Sequence, residues 1–114
     1  KNVKFFHWKK NTENLLLKSK FFIFPSLYEG LPNTLIDAVN NDLICLSTKV
    51  SGVNDICGKN YIEIKKNDHY DLFSKMNLAV KKYNTYNKKN KEKKKYLKKF
   101  LIKNLYIKLP NNII

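Results

Sequence analysis

Arginine is absent: all 23 basic residues of the 114 are lysine. Lysine lacks the planar fork that grips a phosphate or a base edge at two points, so a formal net charge of +14 does not by itself indicate nucleic acid. Together with abundant Asn, Ile and Tyr, the all-lysine usage is also what an AT-rich genome produces. Cysteine is scarce, with only Cys45 and Cys57. No Cys-x-x-Cys and no Cys/His group at metal-ligand spacing is present, so the expectation is reduced thiols, no metal and a cytoplasmic setting. His7 and His69 lie far apart, and neither has the neighbouring acid and Ser or Cys of a catalytic triad. No apolar run approaches the roughly 20 residues of a membrane span. The chain begins at Lys1 with no apolar signal core behind it, and it reads as a piece of a longer protein with nothing pointing to secretion.

What is present suits one small folded domain, with 43% hydrophobic and 13% aromatic residues. Residues 1–80 carry 11 Lys against 8 acids, a balance of +3, so most of the positive excess falls later. The centre of the chain is Phe21 to Val39, FFIFPSLYEGLPNTLIDAV. Phe21–Phe24 has the aromatic and β-branched weight of a strand buried on both faces, as in a parallel sheet. Pro25 stops it, Ser26 to Gly30 supply turn chemistry, and Pro32-Asn33 signal a helix start, with Asn33 able to cap free N–H groups. In an open α/β sheet, that order puts the loop at the carboxyl end of a strand and aims helix amides at an anion. Glu29 in the loop and Asp37 about one turn inside the helix add acceptors for hydroxyls. Amide donors for a diphosphate beside carboxylates for sugar hydroxyls are the chemistry a nucleotide-sugar needs. Without that context the two acids are a solvated turn residue and a helix-dipole partner.

Pro25 to Ala38 resembles the donor-site motif of family 4 glycosyltransferases of the GT-B fold, P-S-x-x-E-G-x-P-x-x-x-x-E-A, in order and spacing. The resemblance covers about residues 1–83. It implies a retaining, metal-independent transfer from a UDP- or GDP-linked sugar, with no cofactor besides that donor. It also implies that Glu29, in the catalytic position, contacts the donor sugar. Gly30, Leu31, Pro32, Asn33 and Thr34 line the diphosphate, and Asp37 holds the ribose hydroxyls, one methylene shorter than the family's usual Glu. The fold so implied is α/β, a Rossmann-like parallel sheet with helices on both faces, forming part of the GT-B C-terminal domain. The acceptor domain and the Arg and Lys that clamp the diphosphate would lie elsewhere in the parent protein, and the 114 residues alone are expected to be inactive. Lipid-linked or surface polysaccharide acceptors suit the family.

Ahead of that centre, Val3 to Trp8 predicts a first strand and Glu13 to Ser19 a helix with a broad Leu15-Leu16-Leu17 face, making a βαβ crossover with Phe21–Phe24. Beyond it, Asp42 stands where a helix-ending Gly is common and can adopt the left-handed conformation. Leu43 to Ser47 predicts a second buried strand. Ser51 to Ile56 resembles the family's glycine-bearing turn and short helix at the edge of the donor site, and without the family reads as a plain loop. Tyr61 to Ile64 predicts a short last strand. Asp68 caps a helix whose Leu72, Phe73, Met76, Leu78, Ala79 and Val80 are expected in the core.

From Lys81 to Lys103 there are 11 Lys and one acid, Glu92. Residues 84–114 are read as a lysine-rich linker, exposed from Tyr83 to Lys95, and an amphipathic helix with an apolar stripe at Tyr96, Leu97, Phe100, Leu101 and Leu105. That stripe could pack on a neighbouring domain. Alternatively, residues 91–109 could dock on an anionic membrane at the inner face, the chain then being a non-catalytic basic module with a degenerate glycosyltransferase fold. Tail aromatics are too few for a base-stacking platform, and no nucleic-acid partner is expected.

Overall fold

The structure, a computed structural model, describes residues 2–7, 11–28 and 32–105. Three strands, β1 (Phe21–Phe24), β2 (Ile44–Thr48) and β3 (Ile62–Ile64), form a parallel sheet in the order β1-β2-β3. Phe21 pairs with Ile44 and Leu46 with Ile62. Because strand order matches chain order, right-handed crossovers place both connecting helices on one face. These are α2 (Asn33–Asn40) and α3 (Val53–Cys57); α1 (Glu13–Leu17) packs against α2. The other face is covered by two helices from the chain beyond β3, α4 (His69–Lys81) and α5 (Tyr83–Lys88). The last helix, α6 (Asn90–Leu105), returns to the first face and packs on α3 and α2.

The period-2 alternation of β1 and β2 feeds both layers. Phe22, Phe24 and Cys45 meet the α2, α3 and α6 side, where Leu35, Val39, Val53, Ile56 and Leu97 are buried. Phe21, Ile23, Ile44 and Leu46 meet the α4 and α5 side. All five residues of β2 are buried, whereas the four of β1 are half-buried. β1 is therefore not sealed on both faces as expected. Among the described residues it has a strand neighbour on one side only.

Several expectations are corrected. Residues 2–7 form no strand, and Val3, Phe5 and Phe6 are exposed; a β-prone run becomes a strand only where a neighbour takes its amides and carbonyls. Trp8 lies outside the described residues. α1 ends at Leu17, with Leu15 and Leu17 exposed and Leu16 packed against the core. On α4, Asp68 caps as expected by accepting from the Asp71 amide at 2.9 Å. Ala79 is buried and Leu72 packs on the sheet, but Phe73, Met76 and Val80 are exposed. The three-residue β3 and the shared face with α5 leave room for only one stripe of α4.

The lysine-rich segment is helical where a linker is expected, with Asn84, Thr85, Asn87, Lys88, Lys89 and Lys95 exposed as expected but Asn90 and Lys93 buried. α6 is anchored where it passes the amino ends of the strands. Asn90 Nδ2 donates to the Asp42 carbonyl at 2.7 Å, Lys93 Nζ to the Leu43 carbonyl at 2.9 Å, and Lys94 pairs with the Asp42 carboxylate at 2.8 Å. Asp42 takes the left-handed conformation, φ 65°, which turns its carbonyl and carboxylate toward α6. Lys93 is only 2% exposed, and burial pushes its ammonium below the usual lysine range. Leu97 and Phe100 are core, with Leu101 packed against them. Leu97, Phe100 and Leu101 of the stripe assigned to a membrane or a second domain are thus occupied within this domain, while Tyr96 is 42% exposed; no described helix is long and apolar enough to cross a membrane. Leu105 carries a described backbone only.

Tyr96 packs on the turn that ends α3, and Gly58 permits this contact. A Cβ at Gly58 would lie 2.3 Å from the Tyr96 ring, and Gly58 has φ 62°. Gly58→Ala is expected to lower unfolding free energy by about 1–3 kcal/mol, from overpacking and backbone strain together, as read from urea denaturation. An unchanged midpoint would show that Tyr96 is not seated there.

Candidate functional site

All three strands point the same way, so their carboxyl ends, Phe24, Thr48 and Ile64, share one side of the sheet. The Thr48 hydroxyl donates to the Ser26 carbonyl and reaches the Phe24 carbonyl at 3.4 Å, tying the loop after β1 to the end of β2. Leu27 and Tyr28, beyond that tie, are exposed. Glu29, Gly30 and Leu31, the centre of the predicted motif, lie outside the described residues.

The chain returns at Pro32, which is buried with φ −80° and ψ 77° and immediately precedes α2. Asn33 is the first helical residue and not the cap expected of it, and no side chain caps this end. Asn33 and Thr34 are exposed there, at the end of the helix where backbone N–H groups and the dipole favour an anion. Gly52 sits opposite, with φ 86°; a Cβ on it would lie 3.2 Å from Pro32. The glycine-bearing turn after β2 therefore closes against the start of α2, and α3 begins at Val53. Two loops remote in sequence thus converge on the same helix N-terminus.

Asp37 is exposed one turn further along α2, on the side facing α1. It lines a polar cleft of about 280 Å³ together with Asn11, Thr12, Glu13, Leu16, Asn40 and Asn41. Its carboxyl is raised above the usual aspartate range, first by partial desolvation and then by the Glu13 carboxylate. The cleft holds two acids, two side-chain amides beside the α2 end, a third amide from Asn11 and a hydroxyl. That is a donor and acceptor set for a polyhydroxylated, amide-bearing ligand. The contribution of Asn11, Thr12 and Glu13 was not legible as site chemistry, because a turn followed by a helix start explains the same letters. A second cleft, about 330 Å³, lies at the carboxyl ends themselves, lined by Pro25, Thr48, Ile64, Lys65, Asn67, Asp68, His69 and Leu72.

Cys45 and Cys57 are 12 positions apart in sequence but adjacent in the fold, both free and fully buried. The Cys57 thiol is held protonated by its hydrogen bond to Cys45 and by burial. They are core groups beside Lys93, not part of either cleft. Among the described residues, no three of His, Cys, Asp and Glu gather into a metal-ligand group.

A family model described as glycosyl transferases group 1 matches residues 1–97. The chain is also similar to an uncharacterized glycosyltransferase of Methanocaldococcus jannaschii, at 32% identity over 84 residues, covering 72% of this chain and 20% of that protein. A 47-residue stretch, 41% of this chain, is 34% identical to the Escherichia coli UDP-Gal:alpha-D-GlcNAc-diphosphoundecaprenol alpha-1,3-galactosyltransferase, of which it covers 12%. The chain therefore spans a fifth or less of the length of these relatives.

Proposed function

The chain belongs to the group 1 glycosyl transferases, and on that footing we propose that it is part of the donor-binding half of an enzyme that moves a sugar from a nucleotide-sugar onto a glycan or lipid-linked acceptor. The observation that carries the reading is Asp37, set on α2 in a polar cleft with Asn11, Thr12, Glu13, Asn40 and Asn41; the cleft runs toward the C-terminal end of α2, and Asp37 itself stands one turn from the uncapped helix N-terminus. In this reading the cleft takes the nucleoside, with the Asp37 carboxylate accepting from ribose hydroxyls. The α2 N-terminus and the Gly52 turn face the diphosphate. Glu29 reaches the donor sugar and stabilises charge at the reacting carbon, in a transfer that retains configuration and uses no metal. UDP is the favoured nucleotide, and a lipid-linked acceptor is favoured by the activity for which the E. coli relative is named. An enzyme with such an acceptor works at the cytoplasmic face of a membrane.

Departure of a nucleoside diphosphate needs fixed positive charge or several donors on the developing phosphate charge. Helix amides supply part of this, and the 114-residue chain alone is proposed to bind donor weakly and transfer little. The parent enzyme is proposed to supply the clamp and the acceptor site.

The test is donor kinetics in the parent enzyme with a panel of UDP- and GDP-sugars. Asp37→Ala is expected to raise KM for the donor roughly tenfold or more, since a hydrogen bond to a charged group contributes about 1.5–3 kcal/mol. The pH profile adds a sign. Protonation removes the charged acceptor, and the Asp37 pKa is raised. Donor affinity is therefore expected to fall as pH drops, beginning at a higher pH than for an ordinary aspartate, and Asp37→Asn should lack that limb. Unchanged KM and an unchanged profile in both variants would remove Asp37 from the donor site.

A further inference from the structure

The sheet edge opposite α1 carries a cleft that the donor site does not use. β3, the turn ending α3 and the middle of α6 enclose about 450 Å³, lined by Lys49, Asn54, Lys59, Tyr61, Glu63 and Tyr96 around Gly58. That volume falls in the range of small-molecule sites, about 300–1,000 Å³. The two rings are held in place before any ligand arrives. Tyr96 rests against Gly58, where no Cβ intervenes. Tyr61 is half-buried and packs against the core cluster of the α2, α3 and α6 side. Tyrosines so held present an apolar face and a polar tip at little entropic cost. Lys49 and Lys59 are exposed, and neither takes part in the ion pairs at Asp71 and Asp42.

The chemistry narrows the ligand. Ring faces suit the C–H face of a pyranose, while the Glu63 carboxylate and the Asn54 amide suit its hydroxyls. Two lysines against Glu63 leave a local balance of +1, which matches one negative group and suits a diphosphate poorly. The cleft lies beyond β2 and β3 from Asp37. With strands spaced about 4.8 Å apart, a single monosaccharide cannot occupy both clefts.

We propose that this edge cleft is a second saccharide site, taking a pyranose unit that bears one negative group, a carboxylate or a phosphodiester. It goes beyond the donor assignment and does not depend on it, because none of its residues lines the Asp37 cleft. In a glycan-building enzyme such a site holds the growing chain near the protein between additions.

The test is titration of the ¹⁵N-labelled 114-residue chain, following the amides from Gly58 to Glu63. Probes are a glucuronate-containing tetrasaccharide, glucose 1-(methyl phosphate), neutral maltotetraose, and acetate with dimethyl phosphate as bare anions. The expected result is saturable shifts with one or both charged sugars, weakened by added salt, and little with maltotetraose or the bare anions. The tighter of the two charged sugars identifies the source of the charge. Lys59→Glu, and separately Lys49→Glu, should weaken that binding at least tenfold while the rest of the spectrum stays in place. Absence of saturable shifts, equal shifts from maltotetraose or from the bare anions, or unchanged binding in both lysine variants would each overturn the proposal. UDP titrated in parallel reports on the Asp37 cleft, so failure at one cleft is read separately from failure at the other.

Discussion

Leu97→Ala is expected to lower the unfolding free energy by about 2–5 kcal/mol, the range for truncating a leucine in a core that cannot fully collapse around the gap. Leu97 is 0% exposed and sits among Val53, Ile56 and Phe100 where α6 crosses α3. For a domain of this size, each kcal/mol moves the melting temperature by roughly 4–8 °C, so a fall of roughly 8–40 °C should appear in a thermal scan. The control is on the same helix. Ile102 is 48% exposed, and Ile102→Ala should stay within about 0.5 kcal/mol. Equal, small effects at both positions would mean that the lysine-rich helix is not docked on this domain. The experiment therefore separates a structural α6 from a basic tail that lies on a membrane. In the docked structure Lys95 and Lys99 face outward, and Leu97, Phe100 and Leu101 are spent on the core.

The second large effect is functional. Glu29→Ala in the parent enzyme is expected to cut kcat/KM for sugar transfer by at least about a hundredfold, the scale on which removing one preorganised electrostatic group acts. Its stability effect should be small, since position 29 belongs to neither β1 nor α2 and the buried residues of both elements are unchanged. Donor binding provides the contrast. If Glu29 acts on the reacting sugar, kcat falls while nucleotide affinity holds; if it were a solvated turn residue, neither would move. A rate within twofold of the unsubstituted enzyme would sink the catalytic assignment and leave Asp37 as the surviving part of the donor site.

Much of the fold could be read residue by residue. Phe21–Phe24 and Ile44–Thr48, the latter one residue along from the expected Leu43 to Ser47, are strands because their apolar content suits nothing exposed, and β2 is buried throughout. The Asp68 cap, the left-handed Asp42 and the glycine-bearing turn before α3 are local devices, each decided within about four residues, and each is found where expected. The donor motif is similarly local in its spelling. Family membership confirms the class of protein it announces, while its central residues, Glu29 to Leu31, lie outside the described residues.

The failures concern which partner a side chain meets. Lys93 has the same kind of neighbours in sequence as the exposed Lys95, yet it is buried because the Leu43 carbonyl, 50 positions earlier, stands within 2.9 Å of its ammonium. Phe73 and Val80 have the apolar character of core residues, yet α4 turns them to solvent. Val3 to His7 has the letters of a strand but forms none.

By itself, the sequence determined the elements from β1 to α4, the Asp68 cap, the class of protein and the two acids worth testing. Only the tertiary structure decided that α6 closes the first layer, that Asp37 shares a cleft with Asn11, Thr12 and Glu13, and that Tyr61 and Tyr96 line one cleft beside β3. The reason lies in range. Propensity, capping and periodicity act over a few residues and are written in adjacent letters, whereas burial and pocket formation depend on where distant segments come to rest.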